Sequence, residues 1–72
     1  MSDRLIKTIA FDGTSRALIV QRDDGHYSYR MQGLWEVDGR AEWSPPGPYG
    51  GVYSSPEMAE HEARARKATR SN

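Results

Sequence analysis

The chain has no cysteine and only two histidines, His26 and His61. Disulfide staples are excluded, and a zinc site, which takes three or four ligands, finds no recognisable ligand pattern. No metal or cofactor is expected. No apolar run approaches the roughly 20 residues that cross a bilayer, and the opening Met1-Ser2-Asp3-Arg4 lacks the charged-then-apolar pattern of a signal peptide. The expectation is a cytoplasmic chain without membrane contact. Net charge is also missing, because ten Lys and Arg cancel ten Asp and Glu. That balance withholds the broad pull toward phosphate polymers, so it disfavours nucleic acid and favours protein or small-molecule partners.

Apolar bulk is scarce as well, at 36% of the 72 residues. A chain this short makes one domain at most, read as a single unit over 1–72, and buries only roughly 60% of the surface its unfolded form exposes. Its core has to rest on seven aromatics: Phe11, Tyr27, Tyr29, Trp35, Trp43, Tyr49 and Tyr53. A protein partner or a second copy of the chain is expected to complete so thin a core.

What is present is turn chemistry. Asp-Gly recurs at Asp12-Gly13, Asp24-Gly25 and Asp38-Gly39, and this pair tolerates the positive φ that tight hairpins require. The spacing predicts an antiparallel β-meander with strands at about 4–11, 16–22 and 26–32 and a short hairpin over 34–43. A two-residue turn at Asp24-Gly25 would set Arg22 opposite Tyr27, Val20 opposite Tyr29 and Leu18 opposite Met31. In the first strand Leu5, Ile9 and Phe11 compete with Ile6 and Ala10 for the inward face, which is left open. Residues 44–51, Ser-Pro-Pro-Gly-Pro-Tyr-Gly-Gly, include three prolines, which lack the N–H a central strand needs, and read as a loop.

A helix is expected at about 56–69. Ser55 can cap it, Pro56 presets the first φ, and Glu57 and Glu60 suit the positive end of the dipole. Glu60 with Arg64 and Glu62 with Arg66 are i,i+4 pairs in the favourable order. Its apolar stripe is nearly all alanine (Ala59, Ala63, Ala65, Ala68), with Met58 the one large member. The fold class is therefore α+β, a three- to four-stranded antiparallel sheet closed by one C-terminal helix.

Catalytic constellations are poor. His26 follows a turn, His61 lies four residues after Glu57 on a helix, and Glu36, Asp38 and Glu42 gather around a solvated turn. Gly50-Gly51 lacks phosphate-loop spacing. No enzyme activity is expected. The aromatic, Pro-rich segment is the stronger signal, since flat rings beside rigid prolines offer contact area at low entropic cost. A non-catalytic protein-interaction module is read from it, with contacts at Trp43, Tyr49, Tyr53, Trp35 and Arg40. The competing expectation is that these rings fold inward and roof the core.

The stretch Tyr49-Gly-Gly-Val-Tyr-Ser-Ser-Pro-Glu-Met-Ala-Glu-His-Glu-Ala63 resembles the last strand and helix start of AP2-type and integrase-arm-type DNA-binding modules, through Tyr53, Ser55, Glu57, Ala59 and Ala63. The resemblance covers about a fifth of the chain. It implies three strands followed by a helix, with nucleic acid met by the sheet face away from the helix through Arg16, Arg22, Arg30 and Trp35. In this alternative Tyr27 and Tyr29 would stand between the arginines.

Overall fold

The computed structural model describes residues 3–70, and of residues 68–70 only the backbone. The expected unit over 1–72 thus extends at both ends beyond the described residues. Four strands, β1 (Arg4–Asp12), β2 (Ser15–Gln21), β3 (Tyr27–Val37) and β4 (Arg40–Trp43), form an antiparallel sheet in the order β1-β2-β3-β4. The helix α1 (Pro56–Arg70) follows and packs on one face. This is the meander-plus-helix fold that the turn spacing and the Ser55-Pro56 junction predict.

Each Asp-Gly does a different job. At Asp38-Gly39 both residues take positive φ, 52° and 79°, and Val37 pairs directly with Arg40. That is the two-residue turn whose twist matches its strands. At Asp12 the carboxylate accepts from the Thr14 N–H and from the Thr14 and Ser15 hydroxyls, so the side chain itself folds the turn. At Asp24-Gly25 the loop is one residue longer than expected. The Arg22 N–H donates to the His26 carbonyl, Gly25 sits at φ 88°, and Gln21 pairs with Tyr27, Ile19 with Tyr29 and Ala17 with Met31.

That extra residue corrects the predicted register. A slip of one position moves every β2 side chain to the other face. Ala17 and Ile19, not Leu18 and Val20, therefore share the helix side with Tyr27, Tyr29 and Met31. Here Ile9, Ala17, Ile19, Tyr29, Ala59 and Ala63 form the buried core, with Phe11, Tyr27, Met31 and Tyr53 packed against it.

The ambiguity in β1 has a structural cause. Leu5 pairs with Val20 and Lys7 with Ile19, so Ile6 is a bulge without an opposite residue. Before the bulge the odd-numbered Leu5 shares the outer face with Val20; after it the odd-numbered Ile9 faces the helix. No single alternation could fit both halves.

Ser55 caps α1 as expected, its Oγ accepting from the Met58 N–H at 3.2 Å. Ala59 and Ala63, both fully buried, are the stripe that meets the sheet. Met58 is half exposed and lies outside that stripe. Glu60 reaches Lys7 of β1 and Arg64 of its own helix, each at 2.9 Å. The other expected pair does not form: Glu62 and Arg66 make no ion pair with each other among the described residues.

Candidate functional site

The Pro-rich segment does not stand away from the fold as a loop. It runs along the edge of β3 that β4 leaves free. The N–H groups of Ser44, Gly47, Gly50 and Tyr53 donate to the carbonyls of Gly33, Met31, Tyr29 and Tyr27, at 2.7, 3.0, 2.9 and 2.8 Å. Donors come every third residue and acceptors every second. Pro45, Pro46 and Pro48 fall between the donors, so their missing N–H groups cost nothing. The segment thereby covers an edge that would otherwise invite a foreign strand.

Side chains on the outer face of β3 hold it there. The Arg30 Nε donates to the Gly47 carbonyl at 2.6 Å and Arg30 Nη2 to the Pro46 carbonyl at 3.3 Å. The Gln32 amide donates to the Ser44 carbonyl at 2.7 Å. On the helix side Tyr53 stacks on Tyr29 with ring centroids 6.2 Å apart, and its hydroxyl donates to the Gly50 carbonyl. Burial and the neighbouring Tyr29 raise the Tyr53 phenol above its ordinary pKa.

The expected contact residues are consequently divided. Tyr53 joins the core, as the inward-folding alternative anticipated. Trp35 and Arg40 lie out on the β3–β4 hairpin, with Trp35 52% exposed and opposite Glu42. By strand alternation they share the side that carries Tyr27 and Tyr29 on the body of the sheet. Trp43 and Tyr49 stay together on the outer face. His26 Nδ1 is 3.5 Å from Asp24 Oδ1, a pair at the surface. Glu57 and His61 border a shallow hollow with Tyr53, Met58 and Glu62.

Arg16, Arg22 and Arg30, the residues of the nucleic-acid alternative, come to this same outer face. The Arg16 guanidinium lies 4.1 Å from the Trp43 ring centroid, and its Nε donates to Gln32 Oε1 at 2.7 Å. Arg22 and Arg30 both lie over Tyr49, at 5.0 and 5.1 Å. The Tyr49 hydroxyl donates to the Asp3 carboxylate at 2.6 Å, which raises its pKa above the ordinary phenol value. Arg30 also stands 3.5 Å from Asp3, and Arg22 the same distance from Asp24. Tyr27 and Tyr29 do not stand between the arginines: alternation along β3 sets them on the side away from Arg30, and the observed register pairs them with Gln21 and Ile19, away from Arg16 and Arg22.

Beside the Tyr49 cluster lies a groove of about 400 Å³ lined by Asp3, Leu5, Leu18, Val20, Arg30, Pro46 and Tyr49. Sequence reasoning missed Leu5, Leu18 and Val20 here. Their available signal was the apolar run of β2 on both parities, which marks a strand with two occupied faces. Among the described residues no three His, Cys, Asp or Glu side chains gather where they could hold a metal ion, and no helix is long and apolar enough to cross a membrane. The chain matches no protein-family model, and no curated protein or solved structure is detectably similar to it.

Proposed function

We propose that this chain is a small non-catalytic interaction module that engages a protein partner through the outer face of its sheet. The observation that carries the proposal is the make-up of that face. The helix packs on the opposite side, and the outer side presents Trp43, Tyr49, Arg16, Arg22 and Arg30 together with a groove in which Tyr49 and Arg30 meet Leu5, Leu18, Val20 and Pro46. Tyr, Trp and Arg are the types enriched at the energetic centres of interfaces, and lysine, which is depleted there, does not line the groove. The contact set shifts accordingly: Trp43 and Tyr49 remain in it, while Tyr53 supports it from inside. Cytoplasm is the proposed compartment.

The test is affinity purification from the native cell with the wild-type chain, Trp43→Ala, Tyr49→Ala and the opposite-side control Trp35→Ala. Loss of a partner with the first two variants and retention with the third is expected. Recovery of the bare monomer, or of the same partners with all variants, would count against the proposal.

A nucleic-acid module is the second reading, favoured by the convergence of Arg16, Arg22 and Arg30 on the face away from the helix. Their commitments weaken it, since Arg22 and Arg30 already stand against carboxylates. Binding of this kind falls steeply with salt. A titration with mixed DNA and RNA that shows no binding at low salt removes it.

A further inference from the structure

We infer that the helix side of this chain receives a second copy of itself, with Trp35 of each copy seated in a hollow beside Gly33 of the other. The surface is separate from the outer face and stands whether or not that face binds a partner.

Both halves of the contact are open in the single chain. Toward the C-terminal end of α1 lies a hollow of about 350 Å³ whose walls include Phe11, Met31, Gly33 and Lys67. Phe11 and Met31 are only partly buried, at the margin of the core. Gly33 leaves the room, since a Cβ there would meet nothing nearer than the Thr14 carbonyl oxygen at 3.9 Å. Trp35 is the next residue of β3 on the same side, 52% exposed, and Val37 follows it at 39%.

Spacing makes these halves self-complementary. Met31, Gly33, Trp35 and Val37 alternate along one side of β3, and a two-fold axis crossing the strand between Gly33 and Trp35 sets each against its opposite number. Trp35 then meets Gly33 of the other copy, and Val37 meets Met31. Each ring finds the position at which the facing strand has no side chain.

Charge selects the same occupant. The charged residues lining the hollow are Arg16 and Lys67, both cations. Arg16 makes no ion pair among the described residues. Lys67 stands 3.9 Å from Asp12, at the outer limit of a pair, and the other oxygen of that carboxylate is taken by Thr14 and Ser15. Trp35 brings a carboxylate with it, because Glu42 lies directly opposite on β4 and on the same side, about 5 Å away. Arg40 holds Glu42 only at 3.7 Å. A net charge of zero adds no repulsion between copies.

Area sets the strength. Two tryptophans bury at most about 250 Å² each and their walls about as much again. That total stays below the roughly 1,200 Å² of a stable interface, so the dimer is weak and reversible.

The experiment is sedimentation velocity of the full chain over a concentration series, with a dissociation constant expected on the order of 10 μM to 1 mM. Trp35→Ala should weaken the dimer at least about tenfold, and so should Gly33→Val, which fills the hollow. Glu42→Lys should weaken it by a smaller factor. Met58→Ala, at a residue as exposed as Trp35, should leave it unchanged. Gly33→Val separates lost contact from lost folding, because valine suits a strand and the space above Gly33 is open. Its melting temperature, measured at low concentration, should hold. A dimer that survives both Trp35→Ala and Gly33→Val would overturn the assignment by placing the contact elsewhere. A wild-type chain that stays monomeric to about 1 mM would overturn it as well and leave the hollow to a side chain of a different protein.

Discussion

Gly50 lies flat on the ring of Tyr29. A methyl group added at its Cα would fall inside contact distance of Tyr29 Cε1, Cζ and Cε2, while the Gly50 N–H bonds the Tyr29 carbonyl. The ring is pinned from the other side by the core, since Tyr29 is 4% exposed. Gly50→Ala therefore has to move either a buried tyrosine or the edge segment. Overpacking of this kind costs typically about 1 to 3 kcal/mol. In a domain this small each kcal/mol lowers Tm by roughly 4 to 8 °C. The neighbouring Gly47 is the control, because a methyl there meets only the Met31 carbonyl oxygen at an ordinary 3.5 Å. A thermal melt in which Gly47→Ala loses as much as Gly50→Ala would refute this account.

Ser55 holds the start of α1 through the Met58 N–H. Ser55→Ala leaves that donor without its acceptor, and loss of such a cap costs about 1 kcal/mol. The urea midpoint is expected to fall with an unchanged slope, since no further surface is exposed. Ser54, whose hydroxyl touches only the Met58 sulfur, should tolerate alanine with a smaller change. Equal losses at the two serines would mean that Ser55 does not act as the cap.

These glycines and serines also mark how far the sequence could be read. Ser55-Pro56 announces a helix start because capping is local chemistry, complete within four residues. Asp38-Gly39 announces its turn for the same reason. Asp24-Gly25 announces a turn but not its length, and one residue of length decides which side of β2 meets the helix. The site suffered most from that. Leu18 and Val20, expected on the face of Tyr29 and Met31, lie in the groove instead, and Arg16 and Arg22 pass to the side away from Tyr27 and Tyr29. The edge segment was hidden for another reason. Its hydrogen bonds repeat every third residue, a period that neither helix nor strand patterning detects, and its prolines read as a break. The trace that was visible is the spacing of Ser44, Gly47, Gly50 and Tyr53.

Three carboxylates set the acid limit. Hydrogen bonds from Thr14 hold Asp12 below the ordinary aspartate pKa, a backbone bond from His26 does the same for Asp24, and Lys7 with Arg64 lower Glu60. When the folded value lies below the unfolded one, the unfolded chain binds the proton more readily. The stabilisation is then complete above the unfolded value, near 4 for ordinary carboxylates, and is lost as the pH falls through the folded value. The urea midpoint should hold from neutrality to about pH 5 and decline below it. Glu60, the least exposed of the three at 22%, ties α1 to β1 and should dominate. Glu60→Gln is expected to lower the midpoint at neutral pH and make the acid decline shallower. A decline as steep as wild type would remove Glu60 from the explanation.

Ser28 is the buried hydroxyl that the fold does not use. It is fully buried, lies opposite Val20 on the outer side of β3, and makes no hydrogen bond among the described residues. Leaving a buried hydroxyl unpaired costs on the order of 1 to 3 kcal/mol. Ser28→Ala removes the oxygen and keeps the Cβ, so the cavity it opens is small. The expected result is a rise in stability of about 1 kcal/mol, read as a higher urea midpoint. Ser44→Ala should move the other way, because the Ser44 hydroxyl accepts from the Gly33 N–H where the Pro-rich segment joins β3. A fall in the midpoint of Ser28→Ala would mean that its hydroxyl has an acceptor in solution.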